Sequence, residues 1–100
     1  MDNKQQEIQI ELSQEIAEGT YANLAVIAHS PSEFVIDFVR IMPGLPKAPV
    51  KSRVILTPEN AKRLLAALED NILKYESMFG PIRENGNAIV PPFMGSQGKA

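Results

Sequence analysis

The chain has 100 residues, 44% of them hydrophobic and 22% charged, with a formal net charge of -2, which fits one soluble domain and excludes both a charged disordered tail and a membrane-spanning bundle. It contains no cysteine, so a disulfide framework, a thiolate metal site and a cysteine nucleophile are all excluded. Met1 to Glu7 is polar and lacks the apolar stretch of a signal peptide, so a cytoplasmic location is the expectation.

The charge is distributed unevenly. Residues 1–39 hold seven acids against Lys4, whereas residues 40–63 hold Arg40, Lys47, Lys51, Arg53, Lys62 and Arg63 against Glu59 alone. Such a basic block either binds anions or pairs with the acidic block where strands from the two segments meet.

In chain order, Glu7-Ile-Gln-Ile-Glu-Leu12 alternates strictly and reads as an edge strand with Ile8, Ile10 and Leu12 on one face. Ser13 to Gly19 is polar and suits a short helical turn or an irregular connection. Two apolar runs, 20–29 and 33–41, flank Ser30-Pro31-Ser32 and read as a hairpin. An even-numbered loop places Ala25, Ile27 and His29 on one face with Phe34, Ile36 and Phe38, and Leu24, Val26 and Ala28 on the other with Val35, Asp37 and Val39. Both faces are then largely apolar, and each needs a cover. Pro43, Gly44, Pro46 and Pro49 predict an extended, semi-rigid loop before a strand at 50–56.

Thr57-Pro58-Glu59 is a helix start: a threonine N-cap, proline at the first helical position and an acid at the positive end of the dipole. Ala61, Leu64, Leu65, Leu68, Ile72, Tyr75 and Phe79 follow as one apolar stripe, and Gly80-Pro81 ends the run. A helix of about 22 residues, about 33 Å long, is predicted. Leu68, at mid-stripe, is expected where the helix packs on the sheet. Glu59 with Arg63 and Asp70 with Lys74 are i,i+4 pairs on the outer face. Residues 81–100, with an apolar patch at Ile89, Val90, Phe93 and Met94, read as a flexible tail outside a domain of residues 1–80.

The segment EGTYANLAVIAHSPSEFVIDFVRIMPG, followed by SRVILTPENAKRLLAALEDNILKYE, resembles a family of small bacterial and archaeal proteins catalogued only as a domain of unknown function. The resemblance runs over about residues 7–80, with its most specific part in Tyr21-Ala22-Asn23 and His29 to Phe34. It implies domain limits and no ligand, activity or catalytic residue.

No catalytic, cofactor or metal site is expected. His29 is the only histidine, and Ser30 and Glu33 beside it lack the geometry and the oxyanion glycines of a nucleophilic triad, so all three are expected to cap the hairpin. Asp37 lies in an apolar run and must be paired, exposed or at an interface; a structural ion pair is favoured over an acid catalyst, with Arg40, Lys51 and Arg53 as candidate partners, and Asn23 is expected to be buried and hydrogen-bonded. No metal-ligand spacing or glycine-rich phosphate loop is present.

The fold class that follows is α+β, a four-stranded, mainly antiparallel meander and then one long amphipathic helix. This order of elements resembles, in topology alone, export chaperones that hold unfolded chains in apolar grooves. One helix covers one sheet face, so the other, with Leu24, Val26, Val35 and Val39, is expected to be an interface between copies of the chain. The functional expectation is a non-enzymatic, homo-oligomeric protein-interaction module whose partner is itself or another protein. The alternative is a nucleic-acid-binding accessory protein that uses Arg40, Lys51, Arg53, Lys62 and Arg63. Membrane docking is not expected, because the polar side of the helix carries mixed charge.

Overall fold

The computed structural model describes residues 7–84. Three strands, β1 (Leu24–His29), β2 (Phe34–Val39) and β3 (Val50–Leu56), form an antiparallel sheet in the order β1-β2-β3. A single turn of helix, α1 (Gln14–Ala17), precedes the sheet, and a long helix, α2 (Pro58–Phe79), follows it. The architecture is therefore α+β, with three strands in place of four. Residues 7–12 form no strand: the alternation is present, but no sheet edge lies beside it, and Ile10 is 92% exposed. The expected tail falls largely outside the described residues, since everything from residue 85, including the patch from Ile89 to Met94, lies beyond them.

The hairpin has an even loop. His29 pairs with Phe34, Ile27 with Ile36 and Ala25 with Phe38, so the two faces divide as the sequence predicts. Ser30 closes the turn: its amide donates to the Glu33 carbonyl at 2.9 Å, and its Oγ accepts from the amides of Ser32 and Glu33, each at 3.2 Å. His29 takes another part from the one expected, stacking on Phe34 with ring centroids 5.4 Å apart. At the other end of the hairpin, Asn23 extends the ladder by one rung. Its Nδ2 donates to the Ile41 carbonyl at 3.0 Å and its Oδ1 accepts from the Ile41 amide at 2.8 Å. Asn23 is exposed rather than buried, so its side chain acts as a substitute for backbone at the fraying end of β1.

Between β2 and β3, a tight turn replaces part of the expected extended loop. The Leu45 amide donates to the Met42 carbonyl at 3.3 Å across Pro43-Gly44, with Gly44 at φ +88°, as a type II turn requires of its third residue. The register of β3 against β2 shifts between Phe38 and Val39, so Val50, and not Lys51, stands opposite Val39.

Helix α2 starts as its sequence dictates. Thr57 Oγ1 accepts from the Asn60 amide at 3.2 Å and from Asn60 Nδ2 at 2.9 Å, Pro58 occupies the first turn, and Gly80 at φ +95° ends the helix after 22 residues. The outer-face pairs form, Arg63 with Glu59 at 2.7 Å and Lys74 with Asp70 at 3.2 Å.

The packing of α2 differs from expectation. Only Ile36 and Val39 are buried hydrophobic residues among those described, both on the central strand, and no residue of α2 is buried. Leu68 is 54% exposed. The helix follows β3 after a one-residue link at Thr57, and the stripe from Leu64 to Phe79 stays exposed.

Asn23→Ala should cost about 1–2 kcal/mol through the two lost hydrogen bonds. Hydrogen exchange provides the check: the Ile41 amide should lose its protection outright, while amides in the middle of β2 should lose only as much as the fall in global stability accounts for.

Candidate interaction surface

The sheet presents two faces of different chemistry. On one, Ile27, Phe34 and Ile36 form a wall, with Val54 opposite Ile36 and Leu56 opposite Phe34. The first half of α2 stands over this wall without closing on it, and leaves a groove of about 500 Å³ whose helical side is Pro58, Ala61, Lys62, Leu64, Leu65 and Leu68. The lining is apolar except for Lys62. Leu65, at 64% exposure, shows how far the groove is open to solvent. Beyond it, Ile72, Tyr75 and Phe79 continue the stripe and are exposed, with the Tyr75 and Phe79 rings 4.9 Å apart at an angle of 49°.

The opposite face carries Leu24, Val26, Val35 and Val39, the four residues expected at an interface. Val39 is buried and the other three are half-buried. Across this face runs a row in which Val26 pairs with Asp37 and Asp37 with Arg53. The Arg53 guanidinium meets the Asp37 carboxylate with both arms, Nε at 2.6 Å from Oδ1 and Nη2 at 2.8 Å from Oδ2. The Asp37 side chain is 14% exposed and that of Arg53 is 62% exposed, so the arginine lies over the carboxylate and shields it. These hydrogen bonds lower the Asp37 pKa, desolvation opposes them, and the charge of Arg53 adds to the lowering. The same contacts raise the pKa of Arg53.

The five basic candidates are spread over the molecule. Arg53 pairs with Asp37 on one face and Lys62 lines the groove on the other. Arg63 pairs with Glu59 on the outside of α2, and Arg40 lies 5.7 Å from the centroid of the Tyr21 ring. Lys51 sits at the register shift of β3 and is exposed. The contact between acidic and basic blocks is thus realised inside the sheet by one pair.

Among the described residues, no group of three or more His, Asp or Glu side chains is arranged to hold a metal ion, and no helix is long and apolar enough to cross a membrane. Ser30 Oγ is occupied by the turn amides and lies 3.4 Å from Ser32 Oγ.

The interface residues named from the sequence and the groove lie on opposite faces. Ile27, Phe34, Ile36, Leu64 and Leu65 were legible as apolar positions, and what periodicity omits is that Ile27, Leu64 and Leu65 stay exposed.

A family model described as "Protein of unknown function (DUF3467)" matches residues 1–84, and the chain belongs to this family. The match reaches four residues past the domain limit at Gly80 that the sequence suggests. No curated protein and no solved structure matches the chain.

Asp37 bonded to Arg53 contributes stability that is present above about pH 3.8, the ordinary carboxylate value, and is lost as pH falls through its depressed native value. Asp37→Asn should lower the melting temperature at neutral pH and flatten the acid limb of the curve of melting temperature against pH. A parallel curve, displaced without a change of shape, would count against the pair.

Proposed function

We propose that this member of the unknown-function family is a non-enzymatic interaction module that assembles with further copies of itself. The observation that carries the reading is the exposure of the α2 stripe from Leu64 to Phe79 beside an open apolar groove. A contiguous apolar surface of that length is rare on a soluble monomer and is the ordinary signature of an interface. Mixed charge on the outer face of α2, held in the Glu59–Arg63 and Asp70–Lys74 pairs, keeps the other side of the helix solvated.

The half-buried face with Leu24, Val26 and Val35 supplies a second apolar surface, and assemblies larger than a dimer would use both. The strict alternation of residues 7–12 belongs to the same account. A strand needs an edge, and the free edges of β1 and β3 on a second copy would supply one. The fourth strand of the meander is in this reading a property of the assembly. A nucleic-acid role draws no support from the placement of the basic residues, two of which are already paired with carboxylates.

Light scattering over a dilution series should give a mass at least twice the 11.0 kDa of the chain, and Leu68→Lys should shift the distribution toward monomer without loss of helical circular dichroism. A monomer at every concentration would remove the reading.

A further inference from the structure

The groove and the exposed half of the stripe are complementary to one another, and the geometry points to a dimer in which α2 of one copy lies antiparallel on α2 of the other. In this dimer the C-terminal aromatic residues of each helix occupy the partner's groove. The inference rests on the homo-oligomer reading and specifies its contact.

Six of the seven stripe residues repeat in steps of four and three: Ala61, Leu65, Leu68, Ile72, Tyr75, Phe79. Alternating spacing of this kind suits a helix–helix seam, which Leu64 flanks on one side. Antiparallel alignment matches Phe79 with Ala61 of the partner, Tyr75 with Leu65 and Leu68 with Ile72, and symmetry repeats each layer. The bulky Phe79 then faces the smallest side chain, so the layers are more even in size than in a parallel pairing. Parallel alignment would set Phe79 on Phe79 at one end and Ala61 on Ala61 at the other, with a bulky layer and a void in one interface.

Charge discriminates in the same direction. The residues flanking the seam on one side are Lys62, Glu69 and Glu76. In the antiparallel register Lys62 faces Glu76 of the partner, and this pair occurs twice. Glu69 faces its own copy once, so attractive pairs outnumber the repulsive one. In the parallel register the cross-seam neighbours of Glu69 and Glu76 are Leu64 and Asn71, and no opposite charges meet. Glu76 already has one oxygen engaged, with Oε2 accepting from the Ile82 amide at 2.9 Å, and its other oxygen is available to Lys62. On the opposite flank Leu64 meets Met78, which is exposed in the single chain. The Glu59–Arg63 and Asp70–Lys74 pairs point away from the seam.

The same alignment fills the groove. Ala61 and Leu65 form part of its helical wall, so the partner residues opposite them, Phe79 and Tyr75, enter the space between α2 and the Ile27, Phe34 and Ile36 wall. Lys62 lines this groove, where Glu76 arrives on the same helix as the two rings. The single charged residue in an otherwise apolar lining thereby acquires a partner.

Two measurements on the full chain test the arrangement. Lys62→Glu should weaken dimerisation by about tenfold, and adding Glu76→Lys to the same chain should restore it. An unchanged dissociation constant for Lys62→Glu in a protein that still dimerises would overturn the helix pairing and leave the oligomer reading standing. Independently, because the chain has no cysteine, Ala61→Cys and Phe79→Cys chains can be mixed and oxidised. Disulfide-linked heterodimers are the expected product. Disulfides that join like chains in that mixture would show parallel pairing and overturn the proposal, whereas an unmodified protein that remains monomeric would overturn the oligomer reading itself.

Discussion

Everything else in this structure depends on how α2 leaves the sheet. A single residue, Thr57, separates the last residue of β3 from the first of the helix, and its side chain is committed to capping the Asn60 amide. The helix therefore begins directly at the end of β3, and none of its residues is buried. The apolar stripe on α2 and the apolar wall on the sheet are both formed, and they face one groove without meeting. Two buried side chains on β2 are then the whole closed interior of the described chain. The hydrophobic effect scales with area removed from water, so an occupant of the groove would add apolar burial that the single chain lacks.

Within that constraint the sheet is held by polar devices placed where packing is thin. Ser30 ties the tip of the hairpin, Asn23 lengthens its base, and the two-armed contact of Arg53 with Asp37 joins β2 to β3 across the face away from the helix. Each device is local or spans adjacent strands, so each forms as the meander forms. None reaches α2. The sheet and the helix are accordingly two units that are individually well specified and weakly coupled, an arrangement suited to docking with another copy.

The parts of this architecture that were legible in the sequence are those set by short-range rules. The faces of the hairpin follow from a four-residue turn rich in serine and proline, and both ends of α2 follow from Thr57-Pro58 and Gly80. For Asp37 the sequence suggested a cationic partner and left Arg40, Lys51 and Arg53 as candidates, among which the strand register selects Arg53. The failures are non-local. Alternation at residues 7–12 states what a strand would look like without providing the edge it must join. The period of the α2 stripe likewise gives its width and direction and is silent on whether a sheet or a second helix covers it. That Leu65 and Leu68 are exposed emerges only from the structure. His29 shows the converse error, since a lone histidine beside serines suggested hydrogen bonding and its ring stacks on Phe34.

The central claim is that the fold is completed by association, which makes stability a function of concentration. Thermal unfolding followed across about a hundredfold range of chain concentration tests it most directly. The account predicts a melting temperature that rises steadily with concentration, because dilution removes the groove's occupant and with it that added apolar burial. A single melting temperature at all concentrations, with a folded species of 11.0 kDa throughout, would contradict it.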